Sequence, residues 1–193
     1  ARAALAAGRH VVVDKPFTLT LAEARELTAL ADARGRLLSV FHNRRWDGDF
    51  LTLRALIRRG DLGRVVHLES AFDRYRQRVR ERWRESAAPG AGLWFDLGPH
   101  LLDQALQLFG APQAIALDQA VLREGGRSDD WFQARLRYPG LRVVLRASML
   151  AAAASPRFVV HGTHRRLLNQ GLAPQEDAFK AGARPTWPTA PGW

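Results

Sequence analysis

The sequence predicts two architectures in succession: the tail end of a parallel α/β sheet over residues 1–42, then a mainly antiparallel, open-faced sheet with helices on one side over residues 43–193. A helix, strand, helix, strand rhythm with short links opens the chain, which is how parallel βα units read. Further on, Tyr138-Pro139-Gly140-Leu141 separates two runs of alternating apolar and polar residues, the mark of an antiparallel hairpin. Between the two parts lies a long apolar helix with one polar stripe.

In order, residues 1–7 read as a helix that has no N-cap and is closed by Gly8, so the chain is expected to start inside an element. His10-Val11-Val12-Val13 is a β-branched run suited to a strand buried on both faces. Thr20 and Glu23 form a capping-box pair, and Leu21, Ala24, Leu27 and Ala31 keep helical spacing up to Gly35 at C′. Leu37 to Phe41 predicts the second strand. Beyond residue 43, Phe50 to Arg59 reads as a helix ended by Gly60, and Val65 to Phe72 as a strand.

Arg74 to Arg84 is strongly basic, with Tyr75 and Trp83 interleaved. Residues 93–109 predict the apolar helix, but Pro99 belongs in a first turn, so the helix is expected to start near Gly98 or to kink there. Strands follow near 113–122, 131–138, 141–149, 157–161 and 166–169. In 131–138, Phe132, Ala134, Leu136 and Tyr138 alternate with Gln133, Arg135 and Arg137, giving one packed face and one open face. The tail from Arg184 to Trp193 is rich in proline and tryptophan and has no closing element, so both ends are expected to be truncated.

Charge narrows the chemistry. The chain has 29 Lys+Arg against 19 Asp+Glu, a formal +10. Only Lys15 and Lys180 are lysines, and arginine dominance beside abundant alanine reads as coding bias rather than a phosphate-binding surface. A lysine here therefore marks a place where a compact, deprotonatable amine is needed, because guanidinium stays charged. The absence of cysteine excludes disulfides, thiolate metal sites and cysteine nucleophiles from this chain. No apolar run reaches the roughly 18 residues of a membrane span, and no signal-peptide pattern opens the chain. A cytoplasmic protein with no membrane partner is expected.

Candidate chemistry gathers on the apolar helix, where Asp96, His100, Asp103 and Gln107 make one stripe. Such a stripe on a buried helix lines a cleft; on an ordinary amphipathic helix it faces solvent. His100 is the candidate general base, because imidazole titrates near neutral pH, and Asp96 lies where it can orient it. His42, at a strand end, can reach the same cleft, whereas His10, His67, His161 and His164 read as structural or surface residues. Lys15 sits at the carboxyl end of a parallel strand, where open α/β sheets bind ligands. The following Pro16 allows a cis peptide bond.

These residues carry a resemblance. Ala7-Gly8-Arg9-His10-Val11-Val12-Val13-Asp14-Lys15-Pro16, Phe41-His42-Asn43-Arg44-Arg45-Trp46-Asp47, and Gly92-Leu93-Trp94-Phe95-Asp96-Leu97-Gly98-Pro99-His100-Leu101-Leu102-Asp103-Gln104 are similar to successive signatures of the Gfo/Idh/MocA oxidoreductases. Arg82-Trp83-Arg84-Glu85 and Gln175-Glu176-Asp177-Ala178 also resemble the branch with NAD(P)-dependent scyllo-inositol 2-dehydrogenases. The resemblance implies a Rossmann-type half, here residues 1–42, and a substrate and dimerisation half, here 43–193. It implies a catalytic set of Lys15, Asp96 and His100, and NAD or NADP as cofactor. It further implies a polyol or sugar substrate, with no nucleic acid, and a homo-oligomer formed through the open sheet. Lys15, Pro16, Asn43 and Arg44 are the cofactor candidates, and Lys15, Trp83, Asp96 and His100 the substrate candidates; no metal is expected. Two departures stand out. Asp14 replaces the family's usual glutamate, and the glycine-rich G-x-G-x-x-G turn is absent, so a fragment, inactive alone, is expected.

Three other readings stay open. One is a nucleic-acid module built on Arg74, Arg76, Arg78, Arg80, Arg82 and Arg84 with Tyr75 and Trp83, since cations contact phosphates and rings stack on bases. A second is a hydrolytic metal site on Asp96, His100 and Asp103, with His42 as a further ligand. The third is a family member without activity.

Overall fold

The computed structural model of the chain describes residues 1–153, 155–171 and 175–184. Its first elements are α1 (Arg2–Ala6), β1 (Val11–Asp14), α2 (Leu21–Ala33) and β2 (Leu38–Phe41). β1 and β2 pair in parallel, with Val11 opposite Leu38. The capping box forms as its residues predict: the Thr20 hydroxyl accepts the Glu23 N–H at 3.2 Å, and the Glu23 carboxylate accepts the Thr20 N–H at 3.0 Å. Thr20→Ala is expected to cost about 1 kcal/mol. A lower urea midpoint at unchanged slope would register it; an unmoved midpoint would mean that packing alone fixes this helix end.

One expectation fails here. β1 is not buried on both faces, because Val12 is 70% exposed. Among the described residues its sheet has two strands, and double burial needs a layer on each side.

The second part runs through a 3-10 turn (Asn43–Trp46), α3 (Gly48–Arg58), β3 (Val65–Ala71), a 3-10 turn (Trp83–Glu85), α4 (Leu93–Phe109), β4 (Ala114–Ala120), β5 (Trp131–Tyr138), β6 (Leu141–Ser148), β7 (Pro156–Gly162), β8 (Arg166–Gln170) and α5 (Gln175–Lys180). The strand order is β4-β5-β6-β3-β7-β8. Neighbours are antiparallel except β3 and β6, which run parallel with His67 opposite Arg142. The core is made by Phe50 and Leu53 of α3, Leu97 and Leu101 of α4, and the inward residues Phe132, Leu136, Val143 and Leu145 of the sheet. Trp94 of α4 meets the Phe132 ring edge-on, with centroids 5.1 Å apart. Arg135, Arg137 and Arg142 are exposed on the opposite face, so part of the basic charge covers an open sheet. The tail from position 185 onward, and the side chains of Gln175 and Glu176, lie outside the described residues. No described helix is long and apolar enough to cross a membrane.

α4 starts at Leu93 rather than near Gly98, and Pro99 lies inside it. Its start is fixed from outside the helix. The Asp129 carboxylate accepts the Trp94 N–H at 2.6 Å, and the Asp129 carbonyl accepts the Leu93 N–H at 2.8 Å. Those bonds satisfy donors that a helix start leaves open. Gly92 precedes them with φ +98, and a Cβ there would lie 1.9 Å from Asp129 Oδ1, so only glycine permits the approach. Starting the helix here brings Asp96 and His100 onto consecutive turns of one element.

Candidate functional site

Lys15 lies just past β1, joined to Pro16 by a cis peptide bond. Its Nζ donates to Asp96 Oδ1 at 2.8 Å and also to the Asp96 carbonyl oxygen. The end of the small sheet is thereby tied to the first turn of α4. Two arginines share the same carboxylate: Arg84 Nε is 3.3 Å from Oδ1, and Arg74 Nη1 is 4.0 Å from Oδ2. Burial works to raise the Asp96 carboxyl, but the hydrogen bond and charge of Lys15, aided by Arg84 and Arg74, outweigh it and hold the group below the usual carboxylate range.

His100, one turn further on, is buried. Burial pushes its pKa down to about 3, helped by the charges of Lys15 and Arg44 and opposed by Asp96. This corrects the expectation of an imidazole titrating near neutral pH: the neighbours are cations, and a half-dry site disfavours another. Its Nδ1 is buried with no hydrogen-bond partner. Asp96 does not hold His100 by a hydrogen bond either. Its carboxylate faces Lys15 and the arginines, and reaches the imidazole through charge alone.

The lowered value makes a prediction for stability. The unfolded chain binds the His100 proton near 6.5 and the folded chain only near 3, so between those values the unfolded state holds more protons. Stability from this group is complete above 6.5 and is lost as the pH falls toward 3. Urea unfolding of the chain and of His100→Asn between pH 7 and 4 is expected to show the steeper acid loss in the parent. Parallel curves would place the ring in water.

The rest of the stripe also faces inward as far as Gln104, and only Gln107 reaches solvent, so the solvent-facing alternative is set aside. Asp103 takes a two-pronged bond from Arg45, at 2.7 and 2.6 Å. Gln104 donates to the Arg44 carbonyl at 2.8 Å and accepts from the buried Arg157 at 2.6 Å. These two residues clamp the 43–46 turn onto α4. Because Asp96 turns to Lys15 and Asp103 to Arg45, the proposed metal ligands do not share a centre, and no metal-ligating cluster occurs among the described residues.

The remaining candidates are distributed as follows. Arg44 is half-buried, pairs with Asp47 at 3.2 Å and lies over the Phe72 ring at 5.3 Å. Asn43 is exposed and is not among the groups gathered at Asp96. Trp83 is 55% exposed, with the Arg84 guanidinium over its ring at 4.8 Å. Pro16 lines a separate cleft of about 300 Å³ together with His42, Trp94, Phe95 and Pro99. His42 Nδ1 is buried there without a partner. Arg74 and Arg84 were not singled out by the sequence for this site. Nothing local separates them from the other arginines of the basic stretch, where they read as nucleic-acid contacts. Their side chains, with Arg82 on Glu85 at 2.6 Å, are turned to carboxylates of this chain.

Comparison with known proteins accords with this geometry. Residues 1–42 match the NAD-binding Rossmann domain of the GFO/IDH/MocA oxidoreductase family, and residues 50–168 match its C-terminal domain. The chain is 59% identical to the oxidoreductase YdgJ of Escherichia coli over 95% of its own length and 53% of that protein. It is 41% identical to the scyllo-inositol 2-dehydrogenase (NADP(+)) IolW of Bacillus subtilis, over 95% of the chain and 51% of the relative. A solved oxidoreductase structure from Yersinia pestis superposes with a TM-score of 0.88 at 58% identity, covering 96% of this chain and 52% of that one. The chain thus spans about half the length of the curated relatives it matches. With its C-terminal-domain match alone extending over more than half of the residues, the chain belongs to the GFO/IDH/MocA oxidoreductase family.

Proposed function

We propose that this chain forms the substrate-handling part of a nicotinamide-dependent dehydrogenase that oxidises a secondary alcohol of a polyol or sugar, reversibly. One observation carries the reading: the Lys15 ammonium and the His100 imidazole border the same two turns of α4, around Asp96. The name of the relative IolW, a scyllo-inositol 2-dehydrogenase, supports a ring polyol as the substrate class.

The residues present fit a dinucleotide at one end. The cleft beside Pro16 has flat apolar walls, a buried unpartnered His42 Nδ1, and a position at the carboxyl ends of parallel strands. Of the cofactor candidates Pro16 lines this cleft, next in sequence to Lys15, and Asn43 and Arg44 follow its lining residue His42, so these four would hold the dinucleotide. When bound, the nicotinamide ring of NAD or NADP supplies the hydride acceptor.

The chain's own groups do the rest. His100 Nε2 takes the hydroxyl proton, a role worth about 10²–10⁴-fold. Its depressed basicity keeps it a proton acceptor at every physiological pH, and a weak one, so the developing alkoxide needs a cation beside it. Lys15 supplies that cation and, through Asp96, is held at a fixed point. Asp96 and the face of Trp83 bind further hydroxyls. A subunit extended through the preceding reading frame should reduce NAD or NADP with a panel of sugars and inositols, followed by nicotinamide absorbance. Dinucleotide binding with no turnover of any polyol, sugar or other secondary alcohol would sink the reading.

The complete subunit is further proposed to pair through the open sheet face. Leu168 of β8, 52% exposed and paired with Val159, is an apolar residue on that open face, and Val144, opposite Arg135, shares it. Sedimentation of the extended subunit is expected to give a dimer or larger, and a monomer at micromolar concentration would refute the pairing.

A further inference from the structure

The carboxylates around the site are matched to arginines with one exception. Asp47 faces Arg44, Asp49 faces Arg157, Asp73 faces Arg146, Asp103 faces Arg45, and Glu85 faces Arg82 and Arg123. Asp96 alone is shared by three cations, Lys15, Arg74 and Arg84. Among the described residues, that leaves two positive charges at the site without a carboxylate of their own.

Arg74 is the least comfortable of the three. Burial lowers its pKa, as do Arg76, Arg82 and Arg44, and only Asp96 works the other way. Its backbone is pinned, the N–H to the Ser148 carbonyl at 2.8 Å and the carbonyl to the Ala151 N–H at 3.1 Å, so it cannot swing out with its loop. It also forms one wall of a cleft of about 320 Å³, between Phe72 and Ser155, whose floor includes Arg157. Among the described residues, the only carboxylate lining that cleft, Asp73, is bonded to Arg146. A guanidinium held half-dry beside other cations is stabilised by an oxyanion, which it can grip through two parallel N–H donors.

We infer that the substrate of this site carries an oxyanion, a carboxylate or a phosphate attached to the sugar or polyol, received by Arg74 in the cleft between Phe72 and Ser155. The inference rests on the dehydrogenase reading for the sugar or polyol part and adds the acidic group. The anion restores the charge balance that Asp96 alone leaves incomplete. It also places the carbinol end of such a molecule toward Asp96 and Lys15, since Arg74 reaches both the cleft and Asp96.

Calorimetric titration of the full chain with D-glucose, D-glucuronate and D-glucose 6-phosphate tests this without requiring turnover. At least one of the two acids is expected to bind about tenfold or more tightly than glucose, the scale of one charge-assisted bond, and to weaken with added salt. The two acids separate carboxylate from phosphate. Arg74→Gln is expected to abolish the preference, Arg84→Gln to reduce it, and Arg137→Gln, an exposed change of equal charge on the open sheet, to leave it intact. Equal binding of all three probes, no binding by any, or a preference that survives Arg74→Gln overturns the inference. Turnover of neutral polyols by the extended subunit, with acids rejected, overturns it while leaving the dehydrogenase reading standing.

Discussion

Lys15→Met is expected to leave the chain folded and to lower turnover of the extended subunit by about 10²–10³, the cost of losing one preorganised donor at a developing oxyanion. Methionine keeps the length and removes the charge. The fold is spared because Asp96 keeps Arg84 at 3.3 Å and Arg74 at 4.0 Å, so no buried carboxylate is stranded. Lys15→Arg separates charge from shape: guanidinium retains the positive charge but presents a planar fork where an ammonium now bonds both the side chain and the carbonyl of Asp96. Turnover is expected to stay low in both variants, with circular dichroism unchanged. Near-normal rates in the methionine variant would remove Lys15 from the mechanism.

Arg157→Met is expected to destabilise the chain by about 3–5 kcal/mol, the scale for removing one partner of a buried ion pair. Arg157 is 2% exposed, stacked between Phe72 at 4.0 Å and Phe158 at 4.1 Å. Burial lowers its pKa to about 10, with Asp49 and Asp47 opposing, so it remains charged at neutral pH. Its loss strands the buried Asp49 carboxylate, 3.6 Å away, and takes donors from Gln104 and Ser70. Adding Asp49→Asn removes the stranded charge and should recover part of the loss in a double-mutant cycle. Denaturant unfolding reads both effects; a loss below about 1 kcal/mol, within the range of exposed pairs, would show that the interior tolerates the change. The damage should also reach the site, because Gln104 holds the Arg44 carbonyl that positions the turn beside His100.

Much of this protein is legible without coordinates, and the legible features share a cause. The Thr20–Glu23 cap, the turn at Pro139-Gly140 and the in-out alternation of β5 are set by residues within a few positions of one another. Lys15 could be singled out because its residue type is rare in an arginine-rich chain, and the α4 stripe because charge on an apolar helix needs a reason. Where local rules met a distant partner they gave way. Pro99 argued for a helix start near Gly98 or a kink there, yet Asp129, from beyond the helix, satisfies the donors at Leu93 and Trp94 and starts it five residues before Gly98.

The sequence by itself determined most of the strands, the capped helix α2, the helix α3 and the turn between β5 and β6, and which residue types were available for proton transfer. Tertiary structure alone decided that β6 lies parallel to β3, that Arg74 and Arg84 converge on Asp96, and that His100 stays uncharged. The division follows from range. Backbone conformation and hydrogen bonding along a helix or across a tight turn are settled between near neighbours, whereas strand order and the field at a buried group sum contributions from positions that only folding brings within a few ångströms.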